Sequence, residues 1–304
     1  MQTNETYTAS QRQGLTWTSA ASALYGAVRR FVATSPIGAL AVAFLILVGL
    51  VAILADLIAP YPPLEANYSM LRHAPTVSHP MGNDFLGRDV LTRLMFGART
   101  SLLVAFSAVA IGKAIGFSWG IVSGYMGGRF DLFTQRIVEI LLAFPGIILA
   151  LMLLVALGSG VITVIIAISI GGIAGSTRVI RSVVLSVKEM PYIDAARAIG
   201  ASQIRVMLLH VAPQCIAPAM VVASASLGGA IFAEAALSFL GLGVPPPNPS
   251  WGNMLNSASN EFLNPLWWMV VFPGMAITLT ILAFNLFGDA LRDHLDPKLR
   301  GGLD

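Results

Sequence analysis

The chain of 304 residues is 56% hydrophobic and 11% charged, where a soluble domain carries about 25% charged residues. With a mean hydropathy of +0.77 and several long charge-free runs, this composition excludes a water-soluble globular fold and predicts an all-α polytopic membrane protein. The 18 basic and 15 acidic residues leave a formal charge of +3 with no basic patch or stripe, which sets nucleic acid aside, and the single Cys215 excludes an intrachain disulfide or a cysteine metal cluster.

Residues 1–25 are rich in Ser, Thr and Gln and read as a polar tail, within a segment 1–30 that ends on Arg29 and Arg30. No early basic stretch abuts an apolar run there, so a secretory signal is not expected. Residues 31–55 are free of charge and long enough to cross the bilayer, giving a first membrane helix within 31–59. A hydrophilic segment, 60–99, follows. The second span covers about 101–124 and holds one basic residue, Lys113. The 38 charge-free residues 140–177 are too many for one span, and Gly158-Ser159-Gly160 divides them into spans three and four. Pro145 interrupts span three, as a hinge or as a static kink. Span five covers about 206–233, entered through Pro213 and Pro218, and span six covers 266–287. The Pro245 to Pro249 run between them cannot be helical, because proline lacks the N–H and clashes with the preceding turn. Trp267 and Trp268 suit the headgroup boundary at the start of span six.

Six spans place both termini on one side. Arg12, Arg29, Arg30, Arg129, Arg136, Arg178, Arg181, Lys188, Arg197, Arg205, Arg292, Lys298 and Arg300 fall there, against Arg72, Arg88, Arg93 and Arg99 opposite. The positive-inside rule therefore predicts cytoplasmic termini and a cytoplasmic loop over 178–205. The remainder divides into a core of five spans over 100–290 and a tail over 291–304.

Gly112, Gly116, Gly120, Gly124 and Gly128 recur at strict four-residue spacing. That places them along one face as a groove for close helix approach, within this chain or with a partner subunit. Lys113 and Glu234 are intramembrane charges, each needing a partner or water. Either they pair, or Lys113 snorkels while Glu234 lines a translocation path or faces the bundle interior. No phosphate loop is present, and His73, His79, His210 and His294 lie in loops or at helix ends, so no catalytic, cofactor or metal residue is assigned. Asp84 and Asp89, like Asp289, Asp293 and Asp296, sit among arginines and read as solvated faces.

In the segment 188–213, Pro191 opens a short amphipathic helix over 192–199, Gly200 suits its left-handed end, and Ser202 caps the helix that follows. Asp194-Ala195-Ala196, Gly200 at the matching interval and Pro213 thirteen residues later resemble the signature of permease subunits of binding-protein-dependent ABC importers. Asp194 stands for the usual Glu, His210 for Ile and Ala212 for Leu. Three further stretches are similar to the dipeptide, oligopeptide and nickel branch: Met81-Gly82-Asn83-Asp84 with Leu86-Gly87-Arg88-Asp89, then Ser238-Phe239-Leu240-Gly241, and Gly288-Asp289-Ala290-Leu291 with Leu295-Asp296-Pro297. Within that branch the C-type subunit of a dipeptide transporter is most similar.

The resemblance implies a type I importer (MetI-like) permease fold and a non-catalytic inner-membrane subunit. Its implied partners are a homologous permease, two ATP-binding subunits that hold ATP and Mg, an external substrate-binding protein and the lipid bilayer. Tyr192, Asp194, Ala195, Ala196, Arg197 and Gly200 would form the ATPase-coupling helix, and short peptides would be the solute. The alternatives are nickel, glutathione or another small solute on the same architecture. A secondary transporter or channel would need inverted repeats or chains of intramembrane charges that the sequence does not show.

Overall fold

A computed structural model describes residues 29, 31–259 and 266–295. The expected N-terminal tail with Arg12 and Arg30, and residues 296–304 with Asp296, Lys298 and Arg300, lie outside the described residues. Regular structure among the described residues is helical, apart from one isolated bridge between Asn83 and Asp89. The first helix, α1 (Pro36–Ile53), opens on a proline and stops at Leu54, after which α2 (Ala55–Ile58) adds one turn. On α1 the small residues Gly38, Ala41 and Ala52 are buried while Ile37, Leu40, Leu47 and Leu50 are exposed. That inversion of the soluble pattern suits a helix whose solvent is lipid and whose packing depends on close approach.

The 60–89 segment folds back on the bundle through buried charges. Asp84 accepts from the amides of Leu86 (2.8 Å) and Arg88 (2.9 Å) and from Arg88 Nε (2.7 Å). Asp89 caps the next helix by accepting from Thr92 N (2.8 Å), and its other oxygen meets His79 Nδ1 at 2.9 Å, under a stacked Tyr61 ring. Both carboxylates are 3% exposed, which corrects the solvated reading. Asp84 pairs with Arg88 while Asp89 meets His79, because the segment is a fold of its own, closed by Trp268 donating to Asn83 O at 3.1 Å. Trp268 is thus buried against this segment, and only Trp267 of the pair is exposed.

Capped at Asp89, α3 (Val90–Met126) begins eleven residues before the expected span and carries Arg93 and Arg99 within it. Arg93 donates to Pro63 O and Arg99 to Ala52 O, so the helix runs past its apolar length without stranding a charge. A Gly127 with φ +64° ends it. Then come α4 (Gly128–Ala143) and α5 (Gly146–Leu157), bent by 89° at Phe144-Pro145. Pro145 is therefore a break between two helices, beyond the kink expected. Gly158 to Gly160 turn the chain, as expected, into α6 (Val161–Val187).

The expected loop 178–205 is shorter in the structure, because α6 continues through Arg178 and Arg181 to Val187. It holds only α7 (Pro191–Ala198) and its caps. Gly200 has φ +85°, and Ser202 accepts from Arg205 N. From there α8 (Gln203–Phe239) passes through a wide π turn at Met207–Val211 just before Pro213, whose missing N–H disrupts regular pairing there. The proline run 245–249 is not helical and leads into α9 (Trp251–Ser259), and α10 (Trp267–Leu295) ends the described fold, running beyond the expected 287.

Helix register settles how many times the chain crosses. Going down α3, Gly112 meets Ser169, Gly116 meets Ile173 and Ser176, Gly120 meets Thr177 and Ile180, and Gly124 meets Arg181 and Val184 of α6. Both numberings rise together, so α3 and α6 are parallel, and the chain between them must return across the bundle. That return is α4 and α5: Asp131 at its start contacts Arg181, and Leu157 at its end adjoins Val161. Twenty residues of α6 separate those levels, about 30 Å. The bent pair is one broken crossing, and with the five long apolar helices it makes six.

Candidate functional site

Helix α7 stands at the end of the bundle where α3 terminates. Its short length would not hold a helix in water, and tertiary packing supplies what propagation cannot. Ile193 is fully buried and Ala196 nearly so, in a cluster with Ile121, Ile180, Val184, Val206 and Val211. The opposite face presents Tyr192, Asp194 and Arg197, with an Arg197–Asp194 contact of 3.3 Å and the Arg197 guanidinium 5.8 Å from the Tyr125 ring centre. Among the coupling residues expected from sequence, Ala196 therefore faces inward and fastens the helix. Tyr192, Asp194, Ala195, Arg197 and Gly200 face out.

Sequence reasoning passed over three neighbours. Ile199 is 87% exposed, an apolar side chain at the tip of the helix. Arg205 and His210, from the first turns of α8, line one concavity with Tyr192 and Gly200. The available signal was the apolar residue at a left-handed cap, where a solvated hairpin would carry a polar one.

Just inside this end, Arg181 donates to Asp131 through Nε (2.7 Å) and Nη2, and Ser123 donates to the same carboxylate. Lys188 reaches Gly124 O at 3.5 Å. These contacts tie α3, α4 and α6 into one block against which α7 is seated.

The glycine groove packs within the chain. A Cβ on Gly112, Gly116 or Gly120 would sit 2.6–2.8 Å from atoms of α6, and on Gly124 3.0 Å. Gly128 does not belong: it starts α4 after the Gly127 turn, with nothing within 4 Å. A four-residue repeat identifies a face only while the helix lasts.

Lys113 and Glu234 make no ion pair. Glu234 is fully buried; its Oε2 accepts from Ser101 Oγ and its Oε1 from Ser238 Oγ, each at 2.8 Å. Those hydroxyls also accept, Ser101 from Trp251 N (3.3 Å) and Ser238 from Val244 N (3.1 Å). The carboxylate thus faces the bundle interior, where it binds the 240–251 loop to two helices. Lys113 lines a separate cavity of about 300 Å³ between α3, α5, α6 and α8.

Residues 116–301 match the family described as binding-protein-dependent transport system inner membrane component. The chain belongs to that family. This permease is 44% identical over 259 residues to the glutathione transport system permease protein GsiD of Escherichia coli O1:K1 / APEC, with 85% of each chain covered. The GsiD of Shigella boydii serotype 4 (strain Sb227) matches to the same extent. An inward-facing structure of the MetNI methionine ABC transporter aligns with a TM-score of 0.55 at 16% identity, over 67% of the permease and 96% of that chain. The MetI-like fold expected from the motifs is thereby established. The permease is the non-catalytic membrane component of a binding-protein-dependent ABC importer, a family in which ATP is hydrolysed by partner subunits.

Proposed function

We propose that this permease forms, with a homologous permease, the ATP-driven path for di- and oligopeptides delivered by an external binding protein, and that α7 is the element through which two ATP-binding subunits drive it. Both termini and α7 then face the cytoplasm and residues 60–89 face outward. The thirteen-to-four division of basic residues supports that orientation, as does the even number of crossings. The observation that carries the coupling role is the seating of α7. A two-turn helix is anchored on one face by Ile193 and Ala196 to the cluster that holds α3, α6 and α8, and it offers Tyr192, Asp194, Arg197 and Ile199 to a partner. Force applied to such a helix is passed to the membrane helices with little local loss. The in-register glycines let α3 and α6 move as one body during alternating access.

Gly200→Val tests the role. At φ +85° a β-branched residue strains the cap by about 1–2 kcal/mol and tilts α7, while every membrane helix keeps its packing. With Asp194→Arg as a second variant, ATP-dependent uptake is expected to fall while the permease remains inserted. Normal uptake and normal co-purification of the ATPase in both variants would refute the assignment.

Glutathione is the second reading, favoured by the 44% identity to a glutathione permease. It is itself a tripeptide, so the two readings differ in side-chain chemistry more than in class. ATPase stimulation of the whole complex in lipid nanodiscs, across dipeptides, tripeptides, glutathione and nickel, separates them.

A further inference from the structure

The cavity beside Lys113 has a composition that packing does not explain. Gly146, Gly171, Gly172 and Gly229 line it from three helices, and an added Cβ on any of them would meet no atom within 4 Å. Gly116 and Gly120, on the seam between α3 and α6, are small because a neighbour occupies the space. Of the five glycines on the lining, Gly112 belongs to that seam as well, and the other four border open space that side chains would occupy. Lys113 is the one charged residue on the lining, and among the described residues its ammonium has no hydrogen-bond or ion-pair partner. Glu234, the other charge expected within the membrane, is by contrast satisfied by two serine hydroxyls. An unpartnered ammonium among apolar walls is costly in a membrane, and it is retained where it faces a pathway and meets an anion.

We propose that Lys113 is a carboxylate-binding residue on the translocation path, taking the C-terminal carboxylate of the peptide in passage. The proposal rests on the peptide-import reading above. Charge complementarity selects the carboxylate end, because the free amino end of a peptide would be repelled. The glycine walls admit side chains of any kind, as a carrier of many peptides requires. A volume of about 300 Å³ lies at the lower end of small-molecule sites and suits a short peptide passing end first. Position adds to this: the cavity lies at the break between α4 and α5, and Gly146 and Ile147 of its lining are the first residues of α5. A change in the bend would reshape the site directly.

The test uses the complete importer, with its partner permease, ATPases and binding protein, in proteoliposomes. Uptake of a free-acid dipeptide and of its C-terminal amide is compared. Lys113→Met is expected to lower free-acid uptake about tenfold while changing amide uptake less than twofold, and Lys113→Arg is expected to recover most of the acid uptake. An equal fall for acid and amide would overturn the proposal, showing that Lys113 pairs with a carboxylate of the partner permease or serves the fold. Unchanged uptake of both would overturn it as well.

A second readout needs no amide. In a Cys215→Ser background, Lys113→Cys is treated with 2-aminoethyl or 2-sulfonatoethyl methanethiosulfonate. Restoration of uptake by the cationic adduct alone is expected, and restoration by neither or by both equally would refute the site. Absence of dipeptide uptake by the wild-type importer, seen before any variant is made, would instead fail the peptide reading and remove the proposal's basis with it.

Discussion

Gly116→Ala adds one methyl group where α3 and α6 are in contact. Its Cβ would lie 2.6 Å from Ser176 Cβ and 2.8 Å from Ile173 O, and a backbone carbonyl in a helix cannot turn aside. Ordinary contact between carbons is about 3.5 Å, so the helices must part by roughly 0.9 Å at this level. Parallel register carries the separation to Gly112 and Gly120, where the approach is equally close. Overpacking of this kind costs about 1–3 kcal/mol, while alanine gains up to about 1 kcal/mol over glycine in helix propensity. Gly175→Ala in α6 is the matched control, since its Cβ meets nothing within 4 Å and only the propensity gain remains. The difference between the two variants therefore isolates the steric cost, about 1–3 kcal/mol in favour of Gly175→Ala. Denaturant titration of the purified permease in micelles measures it. Combining Gly116→Ala with Gly120→Ala should cost less than the sum of the two, because helices already parted accept a second methyl more readily. Equal stability of Gly116→Ala and Gly175→Ala would refute the seam as a close contact, and so would a larger cost for Gly124→Ala, whose neighbours at 3.0 Å are side-chain atoms.

Two further outcomes follow from the buried charges. Arg181→Gln leaves Asp131 without its bidentate partner and should destabilise the permease by about 1–3 kcal/mol, whereas Arg136→Gln, at an exposed pair, should cost under about 1 kcal/mol. The same titration compares them, and equal effects would show the Asp131 pair to be dispensable. Glu234→Leu leaves the Ser101 and Ser238 hydroxyls without their acceptor and should cost about 2–4 kcal/mol, while Glu234→Gln, which keeps an acceptor for one serine, should lose less. Stability and uptake measured together decide its role: lost transport at unaltered stability would return Glu234 to the path.

The helical content, the split at Gly158 to Gly160, the short helix α7, its left-handed end at Gly200 and the Ser202 cap of the helix that follows are legible in the sequence because each depends on local chemistry. Hydropathy, glycine at a positive φ and serine as a cap act within a few residues. Long-range matters were not legible. Five glycines on one face announce an approach, yet only the structure shows that α6 fills it and that Gly128 lies outside. Asp84 and Asp89 look like surface acids because charge patterning carries no sign of burial, and the fold that buries them is closed by Trp268, far along the chain. Glu234 meets Ser101 across 133 residues, and serine is too common in membrane helices to mark the partner. Pro145 marked a disturbance, but a kink and an 89° break share one sequence signature.

The Glu234 contacts have a mechanical consequence. The 240–251 stretch is proline-rich and irregular, and by composition it could hang as a loose flap. Instead, Ser238 holds the amide of Val244 and Ser101 holds the amide of Trp251, both through one carboxylate that lies in an apolar interior. Lifting the stretch would pull the Val244 and Trp251 amides off those hydroxyls and leave two buried N–H groups without acceptors, so it is fastened to α8 near one end and to α3 at the other. A load placed on this stretch is therefore passed to α8 and α3 through those two contacts.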